Sequence, residues 1–271
     1  MDIQTFLDLF IKELEVNHDL RKYYRLLNKK SRYYWRKAYL EQRLAYVNSH
    51  VGKVSGRIWD IGCGYATTSI FLALNGHNVF GNTLEFYYDK INPRLDYWSR
   101  YGNIDNLKVE YANLYDLSVS PDHYDGIIAQ DTLHHLEPIQ DAISIFEAAL
   151  KPGSRLIVTE ENGRNAFITL RNIYYRGFER VTNYFDERLQ KFILFGNENA
   201  RSMQAWHNIL EKADLKLIED SVEYIRVLPP FCFTGKNYCS LMEKERQAGK
   251  KLLNLREFLF FGINFTAIKP L

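Results

Sequence analysis

The chain has 271 residues, with 35 basic against 33 acidic side chains and a net charge of +2, a balance that gives no reason to expect nucleic acid. Apolar residues make 46% and charged residues 25%, which excludes a disordered chain, and no apolar run approaches the roughly 20 residues of a spanning helix. Cys63, Cys232 and Cys239 cannot all pair and Asp2, Asp8, Glu13 and Glu15 break any secretory pattern, so the cytoplasm is the expected location. Aromatic residues reach 15%, more than a core alone commonly needs, so some are expected to line a cavity or a partner surface.

Phe6, Leu9, Phe10 and Leu14 recur at helical spacing, and residues 1–50 read as a helical N-terminal extension. Ten basic against six acidic residues there, interleaved with Tyr23, Tyr24, Tyr33, Tyr34, Trp35 and Tyr39, fit solvated helices over the core, a substrate lid or a dimer surface. From Gly56 the pattern alternates. Strands are expected over 56–61, 77–83, 107–112, 124–130 and 154–160, with helices over 66–75 and 139–150 and a helical stretch interrupted at Pro93. A helix over 202–213 and strands over 215–227 and 258–269 follow. Such alternation implies an α/β fold, a mostly parallel sheet with helices on both faces. Residues 51–271 read as one domain, with inserted segments at about 162–200 and 228–257 rich in Tyr, Phe and Arg.

The stretch Ile58-Trp59-Asp60-Ile61-Gly62-Cys63-Gly64 ends the first strand and opens the first helix. Glycines there permit a tight turn and close approach of a ligand to the backbone. A dinucleotide fingerprint would need a third small residue where Thr67 stands, and a carboxylate at Asp60 instead suits a ligand with a cationic group. The stretch resembles motif I, D-x-G-x-G, of the class I S-adenosylmethionine (SAM) dependent methyltransferases. The resemblance continues through Gly76–Gly81, Tyr124–Ile128, Leu133-His134-His135-Leu136 and Leu150–Leu156. It implies a Rossmann-like, seven-stranded, mostly parallel sheet and SAM as cofactor. By position, Gly62, Cys63 and Gly64 then face the methionine part and Asp60 its amino group. Thr83 and Leu84 take the ribose side, where the family usually has an acid that Glu85 would replace. Asn113 and Leu114 take the adenine side, and Gln130 and Asp131 bound the reacting methyl.

Ligands of open α/β sheets lie beyond the carboxyl ends of the strands. That end gathers Asp131, Thr132, His134 and His135, then Glu160, Glu161 and Asn162. A histidine is the natural base for a hydroxyl or carbon acid. Neighbours on a helical turn point about 100° apart, so at most one of His134 and His135 is expected to reach the acceptor, with Glu160 or Glu161 as the other candidate base. Asp131, Glu161 and Asn162 match a catechol-type magnesium set only loosely, and no metal is expected. The Asp/Asn-Pro-Pro-Tyr/Phe motif of amino-methylating nucleic-acid enzymes is absent after the fourth strand. The expected activity is methyl transfer to a small molecule, at oxygen first and carbon second, with a SAM-binding protein without turnover as the alternative class. Arg171, Arg176 or Arg180 would meet an anionic group on the acceptor, Phe195–Asn199 would turn within the lid, and a homodimer is possible.

Overall fold

The computed structural model describes residues 1–52, 56–252 and 255–271. Three helices, α1 (Ile3–Val16), α2 (His18–Tyr24) and α3 (Tyr33–His50), precede the first strand. The alternating part follows as β1 (Arg57–Ile61), α4 (Thr67–Leu74), β2 (Asn78–Thr83), α5 (Ile91–Trp98), β3 (Leu107–Tyr111), β4 (Tyr124–Gln130), α6 (Ile139–Ala149) and β5 (Leu150–Glu161). Then come α7 (Ala166–Arg176), a hairpin of β6 (Val181–Asp186) and β7 (Lys191–Gly196), and α8 (Met203–Glu211). The chain closes with β8 (Lys216–Leu217), β9 (Glu223–Ile225), α9 (Tyr238–Lys251), α10 (Arg256–Leu259) and β10 (Gly262–Ile268).

The sheet runs β3-β2-β1-β4-β5-β10, with β8 and β9 both laid on the far side of β10. β1 to β5 are parallel and β10 is antiparallel to β5, which is the expected Rossmann-like arrangement. Alternate residues of each central strand face opposite layers. Trp59, Ile127 and Leu156 pack with Phe146, Trp206 and Phe265 on one side. Ile58, Ile128 and Ile157 pack with Phe6, Phe10, Phe71 and Trp98 on the other, so α1 completes the second core layer.

Four local expectations change, the simplest being that the strand expected over 258–269 begins only at Gly262, after the short helix α10. The edge strand expected over 215–227 is two pieces, because Ser221 Oγ donates to Ile218 O at 2.6 Å and accepts from Thr266 N at 2.8 Å, replacing a ladder bond with a turn. Lys151-Pro152-Gly153 does not separate α6 from β5. It forms the irregular start of β5, where pairing with β4 shifts between Tyr124 and Gly126. Phe195 and Gly196, expected within a turn, end strand β7 instead, paired with β6 from Val181↔Gly196 to Asp186↔Lys191. Leu253 and Asn254 of the 228–257 stretch lie outside the described residues.

Candidate active site

A cavity of about 750 Å³ opens at the carboxyl ends of β1 to β4 and is roofed by the β6–β7 hairpin. Its size falls within the roughly 300–1,000 Å³ of small-molecule pockets. The floor is the glycine turn. Gly62 has φ +60°, and a Cβ there would lie 2.4 Å from Thr132 Cγ2, so the turn after β1 and the loop after β4 touch only because this residue has no side chain. Asp60 sits beneath the turn, not on the cavity wall. Its buried carboxylate accepts from Ser69 Oγ at 2.5 Å, and burial pushes it up to about 7. Cys63 also lies outside the wall, its Sγ against β2 where a Cβ on Gly81 would come within 2.9 Å, and burial drives its thiol up.

Thr83, Leu84, Asn113, Leu114, Gln130 and Asp131 all line the cavity. Thr83 Oγ1 accepts from Glu85 N at 3.2 Å, and burial raises the Glu85 carboxyl. Gln130 Oε1 accepts from Thr68 Oγ1 at 2.5 Å, while its Nε2 and Asp131 Oδ1 are buried with no partner among the described residues. Two orphaned polar atoms on one wall are what a polar ligand would satisfy, and these residues fit the cofactor that the glycine turn implies. Asp131 has φ +49° and pairs through Oδ2 with Arg43 of α3. Burial alone would raise Asp131, but Arg43, Arg226 and His134 outweigh it and hold it at about 2.

The expected bases separate. Glu160 is buried behind the wall: Oε1 accepts from Thr132 N at 2.9 Å and Leu133 N at 2.6 Å, and Oε2 lies 2.6 Å from His134 Nδ1. His134 is likewise buried behind the wall. Burial lowers its imidazole, yet Glu160, Asp131 and Glu198 overcome that and bring it up to about 9. His135 does line the cavity, stacked on Phe195 at 4.4 Å, with Nδ1 3.0 Å from Gly196 O. Because that carbonyl can only accept, Nδ1 carries the proton and Nε2 is the free lone pair. Burial and the neighbouring His134 charge push His135 below its ordinary value.

These opposite shifts make a stability prediction. His134 is raised above its unfolded value, so its contribution is complete below about pH 6.5 and lost as pH rises through about 9. His135 is lowered, so stability falls as pH drops through the ordinary histidine value. Thermal unfolding across pH should weaken at both ends, and His134→Gln should remove the alkaline decline attributable to this group.

Glu161 pairs with Arg171 at 2.6 Å and Asn162 donates to Glu257 O and Phe260 O, so neither joins Asp131. No group of three or more His, Cys, Asp or Glu among the described residues is placed to hold a metal ion. Arg176 pairs with Glu198 at 3.3 Å, and Arg171, Arg176 and Arg180 all lie off the cavity wall. The roof is fastened elsewhere. Tyr111 OH donates to Asp186 Oδ2 at 2.7 Å, and Arg188 holds both oxygens of Asp89 at 2.7 and 2.8 Å. Sequence reasoning singled out neither Arg43, whose partner lies 88 residues away, nor the hairpin residues Tyr184 and Ile193 on the wall. No helix among the described residues is long and apolar enough to cross a membrane.

The fold and the glycine turn define a class I methyltransferase domain. A family model described as a methyltransferase domain matches residues 27–220, more than half of the chain, and the chain belongs to that family. It is 28% identical over 125 residues to a ubiquinone biosynthesis O-methyltransferase of Marinobacter nauticus, covering 44% of this chain and 50% of that protein. It is 24% identical over 115 residues to an O-methyltransferase of Aspergillus nomiae, covering 42% and 51%. The chain thus spans about half the length of the curated relatives it matches. Among solved structures it resembles the geranyl diphosphate C-methyltransferase of Streptomyces coelicolor, crystallised with Mg²⁺, geranyl diphosphate and S-adenosylhomocysteine. That likeness has a TM-score of 0.59 at 13% identity, over 89% of this chain and 86% of that one.

Proposed function

We propose that this chain binds SAM and transfers its methyl group to an oxygen of a small-molecule acceptor, with His135 as the general base. The observation that carries the reading is His135 itself, an imidazole on the cavity wall whose Nδ1 is committed to Gly196 O and whose Nε2 has no partner among the described residues. When bound, SAM supplies the electrophilic methyl. Gly62 and Gly64 admit its methionine part to the backbone, Asp60 acts on the amino group from beneath the glycine turn, and Gln130 and Asp131 offer the unpartnered polar atoms. Thr83, Leu84, Asn113 and Leu114 bound the nucleoside. An acceptor hydroxyl in line with the methyl would give its proton to Nε2 and keep the pair that forms the new O–C bond, while the pair of the broken S–C bond would stay on sulfur as S-adenosylhomocysteine leaves.

Residues 1–50 and the insertion at 162–200 act as the lid in this reading, which excludes water, whereas the insertion at 228–257 lines none of the cavity and packs α9 against α3 and β9. Arg43 and Tyr23 from the first and the hairpin from the second support it. The two cations on the cavity wall, Arg43 and Arg188, are both paired to carboxylates, which favours an uncharged, apolar acceptor over an anionic one. Oxygen is preferred to carbon because both curated relatives are named for O-methyl transfer. Three free cysteines fit the cytoplasm as its location.

Titration with S-adenosylhomocysteine, with NADH as control, is the first test. Binding of the first alone, followed by label transfer from methyl-labelled SAM to hydroxylated aromatic acceptors, is expected. A folded protein that binds neither would overturn the reading, and binding without any transfer would leave a SAM-binding protein.

Asp60→Ala is expected to weaken S-adenosylhomocysteine by about tenfold or more, equivalent to about 1.4 kcal/mol. Because Asp60 is raised to about 7 and a cationic amino group prefers its ionised form, affinity should also rise between about pH 6 and pH 8. Calorimetry of Asp60→Asn should show that rise flattened.

A further inference from the structure

The two adjacent histidines sit in opposite electrical settings, and one makes the setting of the other. His134 bridges elements far apart in sequence, with Nδ1 2.6 Å from Glu160 Oε2 at the end of β5 and Nε2 3.9 Å from Glu198 Oε2 just beyond β7. Backbone contacts run beside the ring. Asn199 N donates to His134 O at 3.1 Å, and a Cβ on Gly196 would fall 2.4 Å from that same oxygen. Glu198 is held at φ +55°, an uncommon conformation for a side-chain-bearing residue, and it also takes Arg176 of α7. The ring centroids of His134 and His135 are 4.0 Å apart.

We propose that His134 is a positioning residue: clamped by Glu160 and Glu198, it is a fixed cation that ties the root of the roof hairpin to the β4 and β5 ends and keeps His135 a neutral base. The inference rests on the reading of His135 as that base. Two like charges this close cannot both be held cheaply, so a proton kept on His134 is one denied to His135. The groups facing the pair belong to several elements. His134, Glu160 and Glu198 face His135, and Asp131 at the end of β4 faces His134. Arg43 of α3 and Arg226 after β9 in turn face Asp131 and limit how far it attracts the proton. The directions of both shifts agree with this geometry. Gly196 O is the other half of the device. By accepting from Nδ1 it fixes the tautomer, so the lone pair lies on Nε2 of a ring that lines the cavity.

The titration that tests the clamp needs no acceptor. The imidazole C2–H signals of the full chain, carbon-13 labelled at histidine, are followed across pH, with assignments from His134→Gln and His135→Gln. In the unaltered protein the His134 signal should titrate above about pH 8 and the His135 signal below the ordinary value near 6.5. His134→Gln should raise the His135 midpoint by about one unit, a tenfold change in its protonation. Glu198→Gln, at a partly exposed site, should lower the His134 midpoint without unfolding the chain, and it serves if His134→Gln does not fold. A His134 midpoint below about pH 7, or a His135 midpoint unmoved in His134→Gln, overturns the proposal. Failure of the underlying reading looks different: the titration shifts persist, but His135→Gln turns over at the full rate, which leaves the clamp no catalytic meaning.

Discussion

Replacing His135 with alanine is expected to lower kcat by about 10²–10⁴-fold, the usual contribution of a placed general base, while S-adenosylhomocysteine binds as before. The separation follows from where the ring sits. Its Nδ1 is engaged by Gly196 O and its face by Phe195, so deletion empties part of the acceptor side and leaves the glycine turn untouched. The pH profile carries a second signature. Burial and the His134 charge lower His135, so the acid limb of kcat should lie below the ordinary histidine value. The alkaline limb should fall near pH 9, where His134 gives up the proton that binds it to Glu160. In His134→Gln the acid limb should move up, because His135 then protonates more readily. Steady-state kinetics with labelled SAM read both limbs, and a His135→Ala enzyme within tenfold of normal kcat would remove the base from the mechanism.

The strands that carry the cofactor residues were legible because each is a short apolar run bounded by turn residues. Ile58 and Trp59, or Ile127 and Ile128, need only alternate to serve two buried layers. The turn at Gly62 was legible for the same local reason, since its conformation is a property of a few consecutive residues. What escaped the sequence depends on partners brought together by the fold. Arg43 becomes a wall residue only because α3 lies across the end of β4, and Asp131 holds it there. Arg171 and Arg176 carry charge that suits an anion, but Glu161 and Glu198 claim them outside the cavity. Sequence spacing expects at most one member of the histidine pair to reach the acceptor, but which ring lines the cavity is set by Glu160, Glu198 and Gly196, none of them within 20 residues of it. The hairpin hid for another reason. Phe185 and Phe192 are exposed and Ile193 buried, so its alternation has no clean polar face to read.

Glu13→Ala is expected to destabilise the chain by about 3–5 kcal/mol, the typical result of leaving a buried charge without its partner. Glu13 lies on the apolar face of α1 beside Phe10 and Leu14, and its carboxylate takes Arg94 of α5 through two bonds, at 2.7 and 2.8 Å. Trp98 Nε1 donates to the same carboxylate at 2.9 Å, so three donors lose one acceptor. The Arg94 side chain has no exposed surface, and water cannot replace what is removed. The loss reaches the cofactor turn as well. Arg94 Nη1 donates to Tyr65 O and to Thr67 Oγ1, immediately beyond Gly64, so a displaced guanidinium frees the residues that follow the glycines. Denaturant unfolding should therefore show the lowered stability, and calorimetry a weaker S-adenosylhomocysteine site, in the same variant. Replacing both partners by apolar residues, Glu13→Leu with Arg94→Met, should recover much of the stability, since neither charge is then buried alone. Binding should recover less, because methionine cannot donate to Tyr65 O. A Glu13→Ala chain within about 1 kcal/mol of the original would mean that water reaches Arg94, and that α1 covers the core without holding the cofactor turn.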